Sequence, residues 1–194
     1  MLAAAVAAAA LACGGAPGWR ASRSATAVYT TGTVASAPDF TAMGFTQELG
    51  SDDIGPAGGA VSAGAIAVGI PAGAFDAPVR FEVLGSDISM FSGMAPFGMK
   101  PVLAYAFRVT ASGSGRLVTA FRKPVSVTIS DPAIGDRSMY YRISTDLEVL
   151  PDSAGMTAAP GEMDHAAAGA AEAWMIASPV PPAAGGQGQA GAGG

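Results

Sequence analysis

Ten basic and fifteen acidic side chains spread over 194 residues leave a net charge of −5, and no cluster of Lys and Arg could follow a phosphate backbone, so nucleic acid is excluded as the expected partner. Hydrophobic residues make up 50% of the chain, yet much of that is alanine in runs near the two ends, and the Val, Ile, Phe, Tyr and Met for one core lie between residues 58 and 178. A single cysteine, Cys13, excludes an intramolecular disulfide and leaves packing to hold the fold.

The chain opens with an uninterrupted apolar run of Leu, Ala and Val from Leu2 to Ala12, followed by Cys13-Gly14-Gly15. About eleven apolar residues are too few to span a bilayer but suit the hydrophobic part of a secretory signal. Ala10-Leu11-Ala12 puts small side chains one and three positions before Cys13, as signal peptidases require. Leu11-Ala12-Cys13 also resembles the lipobox of bacterial lipoproteins, in which the cysteine thiol takes a diacylglycerol and becomes the mature N-terminus. Two departures are visible: the first basic residue is Arg20, and the leucine stands one position nearer the cysteine than in the commonest lipobox. Residues 1–12 are therefore read as a signal peptide and Cys13 as the lipid-attachment residue. Ordinary cleavage after Ala12 is the alternative. The Gly14-Gly15-Ala16-Pro17 break argues against a continuing helix.

Residues 13–56 are rich in Ser, Thr, Ala and Gly and read as a tether with possible extra strands at 26–34 and 40–49. From residue 57 onwards the pattern becomes that of short strands. Ile66, Val68 and Ile70 alternate with small residues, and Pro71-Ala72-Gly73-Ala74 closes the run. Val79, Phe81 and Val83 share one face against Arg80 and Glu82. Leu103, Tyr105, Phe107 and Val109 alternate with Ala104, Ala106, Arg108 and Thr110, and Ser112-Gly113-Ser114-Gly115 makes a turn. Val125, Val127 and Ile129 then alternate with Ser126, Thr128 and Ser130. Met139, Tyr141 and Ile143 follow, with Tyr140 in the opposite, outward phase; 147–150 and Trp174-Met175-Ile176 complete the set. One helical turn is conceivable at 166–171, interrupted by Gly169. Short strands at this spacing predict an all-β, antiparallel β-sandwich over residues 57–178. The remainder, 179–194, is Pro, Gly, Ala and Gln, a composition that cannot offset ordering entropy, and is expected to be a disordered tail.

Three motifs in this order resemble one family. Gly58-Gly59-Ala60-Val61 and Ile66-Ala67-Val68-Gly69-Ile70-Pro71-Ala72-Gly73-Ala74-Phe75 are similar to the opening hairpin, strand and Ile-Pro-x-Gly-Ala turn of bacterial ZU-five domains. ZU-five is the module shared by ankyrins and netrin receptors. Tyr105-Ala106-Phe107 resembles its Tyr-x-Phe strand, and Phe121-Arg122-Lys123-Pro124-Val125-Ser126-Val127 its Phe-x-Lys-Pro-Val-x-Val strand. Met139-Tyr140-Tyr141 resembles the pair of aromatics before a short hairpin. The resemblance covers 58–178 and implies a β-sandwich that binds or spaces other parts at a surface. Some animal relatives cleave themselves at a His-Phe-Ser motif; here the corresponding residues are Ala170-Ala171-Glu172, so autoproteolysis is not expected.

The candidate sites are few. His165 is the only histidine, in a Gly/Ala-rich stretch with Asp164 and Glu162 nearby, and reads as a surface side chain. A triad would need a nucleophile and an orienting acid beside it, and a metal site usually more than one good ligand. Asp52, Asp53, Asp131 and Asp136 lack the spaced pattern of a calcium loop and read as turn-forming residues. The most unusual stretch is 89–99, in which Met90, Phe91, Met94, Phe97 and Met99 are interleaved with glycines and a proline. Exposed, it would be an adaptable partner-binding loop; folded back, it would plug an open end of the sandwich. The Gly-rich stretches lack the Lys-Ser/Thr context of a phosphate loop.

These readings predict a non-enzymatic module, exported to the cell envelope or secreted, with no cofactor and no metal. Its partners are the membrane through a lipid anchor and an unidentified protein or glycan. The alternative is a small-ligand or glycan-binding sandwich that uses aromatic side chains on a sheet face.

Overall fold

The computed structural model describes residues 38–152, 156–169 and 172–181. The proposed signal peptide, Cys13, the candidate strand at 26–34, most of the tether and nearly all of the C-terminal tail lie outside the described residues. Eleven strands follow in chain order: β1 Phe45–Ile54, β2 Gly59–Ala63, β3 Ile66–Ile70, β4 Val79–Ser86, β5 Met99–Ala111, β6 Ala120–Ser130, β7 Met139–Ile143, β8 Val149–Pro151, β9 Thr157–Ala159, β10 Glu162–Gly169 and β11 Ala173–Pro179. They form two antiparallel sheets, one in the order β1-β4-β5-β11-β7-β8 and the other β2-β3-β6-β10-β9. The fold is all-β, as the alternation requires.

Period two decides what lies between the sheets. From the six-stranded sheet come Phe81, Val83, Tyr105, Phe107, Val109, Tyr140, Trp174 and Ile176. From the five-stranded sheet come Val61, Ile66, Val68, Val125, Val127, Ile129, Met163 and Ala167. Phe81 and Phe107 touch at 5.1 Å between ring centroids, Phe107 and Trp174 at 5.0 Å, and Tyr105 and Trp174 at 5.3 Å. Burial of this aromatic row supplies the main driving force of the fold.

Three of the segments that resemble ZU-five motifs meet at one corner. Gly58 ends the turn after β1, with φ +79°, a conformation that costs a Cβ-bearing residue energy. Gly73 N–H donates to Pro56 O at 2.8 Å, Arg122 N–H to Ala74 O at 3.1 Å, and Lys123 Nζ to Ala72 O at 2.6 Å. Phe75 and Phe121 pack edge to face at 5.4 Å. The hairpin, the Ile-Pro-x-Gly-Ala turn and the Phe-x-Lys-Pro strand are thus interlocked by two backbone hydrogen bonds, one from the Lys123 side chain, and one aromatic pair.

Several expectations change. The strand expected at 40–49 begins at Phe45 and runs to Ile54, so a strand of the sandwich precedes residue 57; Phe40 and Met43 sit in the preceding turn. Residues 166–169 belong to β10 and form no helical turn, because β6 offers Glu162–Gly169 a full ladder, with Met163 opposite Ile129 and His165 opposite Val127. Tyr140 points into the inter-sheet core, the reverse of the outward phase expected for it.

The outer face of the six-stranded sheet is also partly covered. Leu84, Ala104, Ala106, Tyr141, Ile143, Ala173, Met175 and Ala177 form a second buried cluster with Phe40, Met43, Phe45 and Phe91. The turn before β1 and the segment between β4 and β5 lie over it. Elsewhere on that face polar pairs take over, with Arg108 bonding Glu82 through Nε at 2.7 Å and Nη2 at 2.8 Å.

Candidate functional site

The Met/Phe segment joins β4 to β5 and divides into an anchored half and a projecting half. Ile88–Phe91 is a 3-10 turn capped by Asp87, whose carboxylate accepts the Ser89 N–H at 2.9 Å. Those hydrogen bonds hold the Asp87 carboxyl below its ordinary range. Phe91 is buried and packs on Phe45 at 5.7 Å, while Met94 and Met99 are partly buried against the second cluster. This half folds back, but onto the outer face of the six-stranded sheet and not into an open end of the sandwich.

The projecting half is Pro96-Phe97-Gly98-Met99. Met99 N–H donates to Pro96 O at 2.9 Å, and Gly98 takes φ +79°, the geometry of a type II turn with glycine in its third position. That places Phe97 at the outer corner, fully exposed, and Val180 N–H ties the turn to β11 by donating to Gly98 O at 2.9 Å. Met90 is 56% exposed, and Pro96, Val180 and Pro181 are exposed beside the turn. Of the five side chains expected in a binding loop, the structure buries Phe91, half-buries Met94 and Met99, and presents Met90 and Phe97.

The second notable cluster is one that sequence reasoning passed over. His165 is buried on β10 with its imidazole stacked on the Tyr140 ring, centroids 4.2 Å apart and planes 14° from parallel. This overturns its reading as a surface side chain. The available signal was the alternation of Met163, His165 and Ala167 with Glu162, Asp164 and Ala166. His165 Nε2 lies 3.6 Å from Asp152 Oδ2, and Trp174 lies edge-on at 6.0 Å. Among the described residues Tyr105 Oη, Tyr140 Oη, His165 Nδ1 and Trp174 Nε1 are buried without a hydrogen-bond partner. Burial, and secondarily the Asp152 carboxylate, pushes the Tyr105 phenol well above its ordinary value. Burial also raises Glu172, which Arg142 Nη1 approaches at 3.5 Å. The described contacts of the imidazole are a stack, an edge and a carboxylate, so it works as an aromatic core side chain.

The aspartates divide by role. Asp131 accepts the Ala133 N–H at 2.7 Å and shapes the turn before β7, as expected for an Asx turn. Asp52 and Asp53 lie on β1, opposite Phe81 and Arg80, and are strand residues instead. Asp136 is exposed in the loop before β7.

Shallow depressions mark two places among the described residues. One of about 410 Å³ lies over Gly59, Gly69, Ile70, Pro71, Pro124 and Ser126 at the motif corner. The other, about 230 Å³, is bordered by Met43, Arg142, Ile143, Ser144, Leu150 and Glu172. Neither has an aromatic lining. No protein-family model matches the chain, and no curated protein matches it.

Proposed function

We propose that this chain is an exported, lipid-anchored sandwich of the ZU-five type. It serves at the cell envelope as a non-enzymatic binding or spacing module, with Cys13 as its anchor and the turn at Phe97 as its contact element. The observation that carries the contact role is the full exposure of Phe97 on a turn whose neighbours Phe91, Met94 and Met99 are rooted in the outer cluster. An aromatic side chain held out in water costs free energy that contact with an apolar partner would recover. The export and anchoring roles rest on the apolar run 2–12 and on Leu11-Ala12-Cys13. The interlocked corner formed by the three motif segments supports the ZU-five reading.

A glycan-binding sheet face finds no support, because every described aromatic other than Phe97 is buried. The exposed side chains on the central strands of the five-stranded sheet are small, such as Ala67, Ser126 and Ala166, or charged, such as Arg122, Lys123 and Asp164, and none is aromatic.

The test is fractionation of cells that produce the native chain and Cys13→Ala. The native protein should sediment with membranes and the variant should be released into the soluble fraction. Equal partition of the two would remove the lipid anchor from the reading.

A further inference from the structure

We propose that Met90 and Met139 are oxidation sites, whose thioethers take an oxygen atom from peroxide in place of the methionines packed beneath them. The inference goes beyond the anchoring and contact roles and depends on neither. Three observations carry it.

The first is where the methionines lie. Met43 and Met175 are buried in the outer cluster of the six-stranded sheet, and Met94 and Met99 pack against it. Met90 and Met139 border the same cluster. Met90 adjoins Phe91 and lies over Gly44, where an added Cβ would meet its methyl at 2.7 Å, and Met139 touches Tyr141. Of the described methionines, only Met156 and Met163 belong to the core between the sheets. An oxidant that reached the outer cluster would therefore find several thioethers together.

The second is access. Met90 is 56% exposed and Met139 40%, whereas Met43, Met163 and Met175 are buried and Met94, Met99 and Met156 are partly buried. Peroxide arriving from solvent meets the two bordering side chains first. In the step, a sulfur lone pair attacks one peroxide oxygen, and the S–O bond forms as the O–O bond breaks. Sulfur gives up two electrons, and the departing hydroxide takes the proton of the transferred oxygen and leaves as water. The product is methionine sulfoxide.

The third is what each sulfur already faces. The Ser86 hydroxyl donates to Met90 Sδ at 3.8 Å, and the Tyr141 hydroxyl donates to Met139 Sδ at 3.6 Å. A thioether is a weak acceptor. A sulfoxide oxygen is a polar one, so oxidation at these two positions exchanges a weak hydrogen bond for a stronger bond to the same hydroxyl. Both side chains can shift on their solvent side to make room for it. A sulfoxide on Met43 or Met175 would instead set a polar oxygen among apolar side chains, at the cost of an unbonded buried group.

The test treats the folded chain with dilute hydrogen peroxide and locates each added oxygen by peptide fragmentation in a mass spectrometer. Met90 and Met139 should be oxidised several-fold faster than Met43, Met94, Met99, Met163 and Met175. The chain oxidised at those two positions should keep the urea midpoint of the untreated protein. Ser86→Ala and Tyr141→Phe remove the waiting hydroxyls, so the midpoint of each variant should fall when its methionine is oxidised. With limiting peroxide, Met90→Leu combined with Met139→Leu should pass oxidation on to Met94 and Met99. Equal oxidation rates at all these methionines would overturn the assignment. So would the same midpoint shift, including none, in the oxidised native chain and the oxidised hydroxyl variants, or an unchanged pattern at Met94 and Met99 in the double variant.

Discussion

Gly58 and Gly98 share a φ of +79°, and that coincidence permits a controlled measurement. An alanine at either position must adopt the left-handed region, which costs about 1–2 kcal/mol, partly offset by about 0.4–1 kcal/mol from the stiffer unfolded chain. At Gly98 nothing lies within 4 Å of the added Cβ, so Gly98→Ala should cost about 1 kcal/mol and no more. At Gly58 the Cβ would press on Ile70 O, and would stand 2.8 Å from both Ala72 N and the Pro71 carbonyl carbon. All three are backbone atoms of the Ile-Pro-x-Gly-Ala turn, which the Gly73-to-Pro56 hydrogen bond also holds. No side chain can swing away, so the two turns must separate, and overpacking adds about 1–3 kcal/mol. The expected total is about 3 kcal/mol. With a urea slope of about 2 kcal/mol/M, the midpoint should fall by about 0.5 M for Gly98→Ala and about 1.5 M for Gly58→Ala. Buried Trp174 provides the fluorescence signal. Equal shifts for the two variants would refute the claim that the corner is interlocked, since backbone strain alone would then account for both.

Three further measurements probe the core, the outer cluster and the charges. His165→Phe should retain full stability, because it preserves the stack on Tyr140 and removes the buried Nδ1 that has no partner, whereas His165→Ala should cost about 2–4 kcal/mol in urea unfolding. If the two cost the same, the ring nitrogens and not the stack hold that site together. Phe91→Ala should cost about 3 kcal/mol, while Phe97→Ser should stay within about 0.5 kcal/mol of the native chain; a large loss for Phe97→Ser would show that the turn is packed and not presented. Hydrogen bonding from Arg108 holds the Glu82 carboxyl below the usual range, so its stabilisation is full above the unfolded-state value near 4.5 and is lost as pH falls through the lower folded-state value. Glu172 has the opposite sign: burial raises it, so its ionisation opposes folding increasingly as pH rises through and above 4.5. Accordingly Glu82→Gln should flatten the acid limb of a Tm-against-pH curve, and Glu172→Gln should raise Tm at neutral pH; a lowered Tm for Glu172→Gln would show that Arg142 outweighs desolvation.

Much of the sandwich follows from the order of residues alone. Strict alternation in 79–83, 103–109 and 125–129 assigns Phe81, Phe107, Val109, Val127 and Ile129 to one buried face, because a strand has no other way to hide every second side chain. The glycines near Pro71 mark turns by the same local logic, whereas Pro124, expected to open a strand, lies inside β6 at the irregularity where its pairing with β10 shifts between Val125 and Ala120. The Met/Phe segment likewise stands out by composition.

Tertiary contact decided the rest. Period two says which residues share a face, not what that face meets, so Tyr140 and Tyr141 could be separated by sequence but not assigned to inside and outside. The outer cluster made both faces of β7 and β11 apolar there and erased the contrast on which the assignment depends. The alanines of β10 favour helix locally; pairing with β6 made them strand and carried His165 inward with them. The five apolar side chains between 90 and 99 were parted in the same way. Phe91 found a partner in Phe45, whose strand begins more than forty residues earlier in the chain, and Phe97 found none among the described rings. Local sequence sets periodicity and turns; whether a given apolar side chain is core or contact surface depends on what the distant chain brings to it.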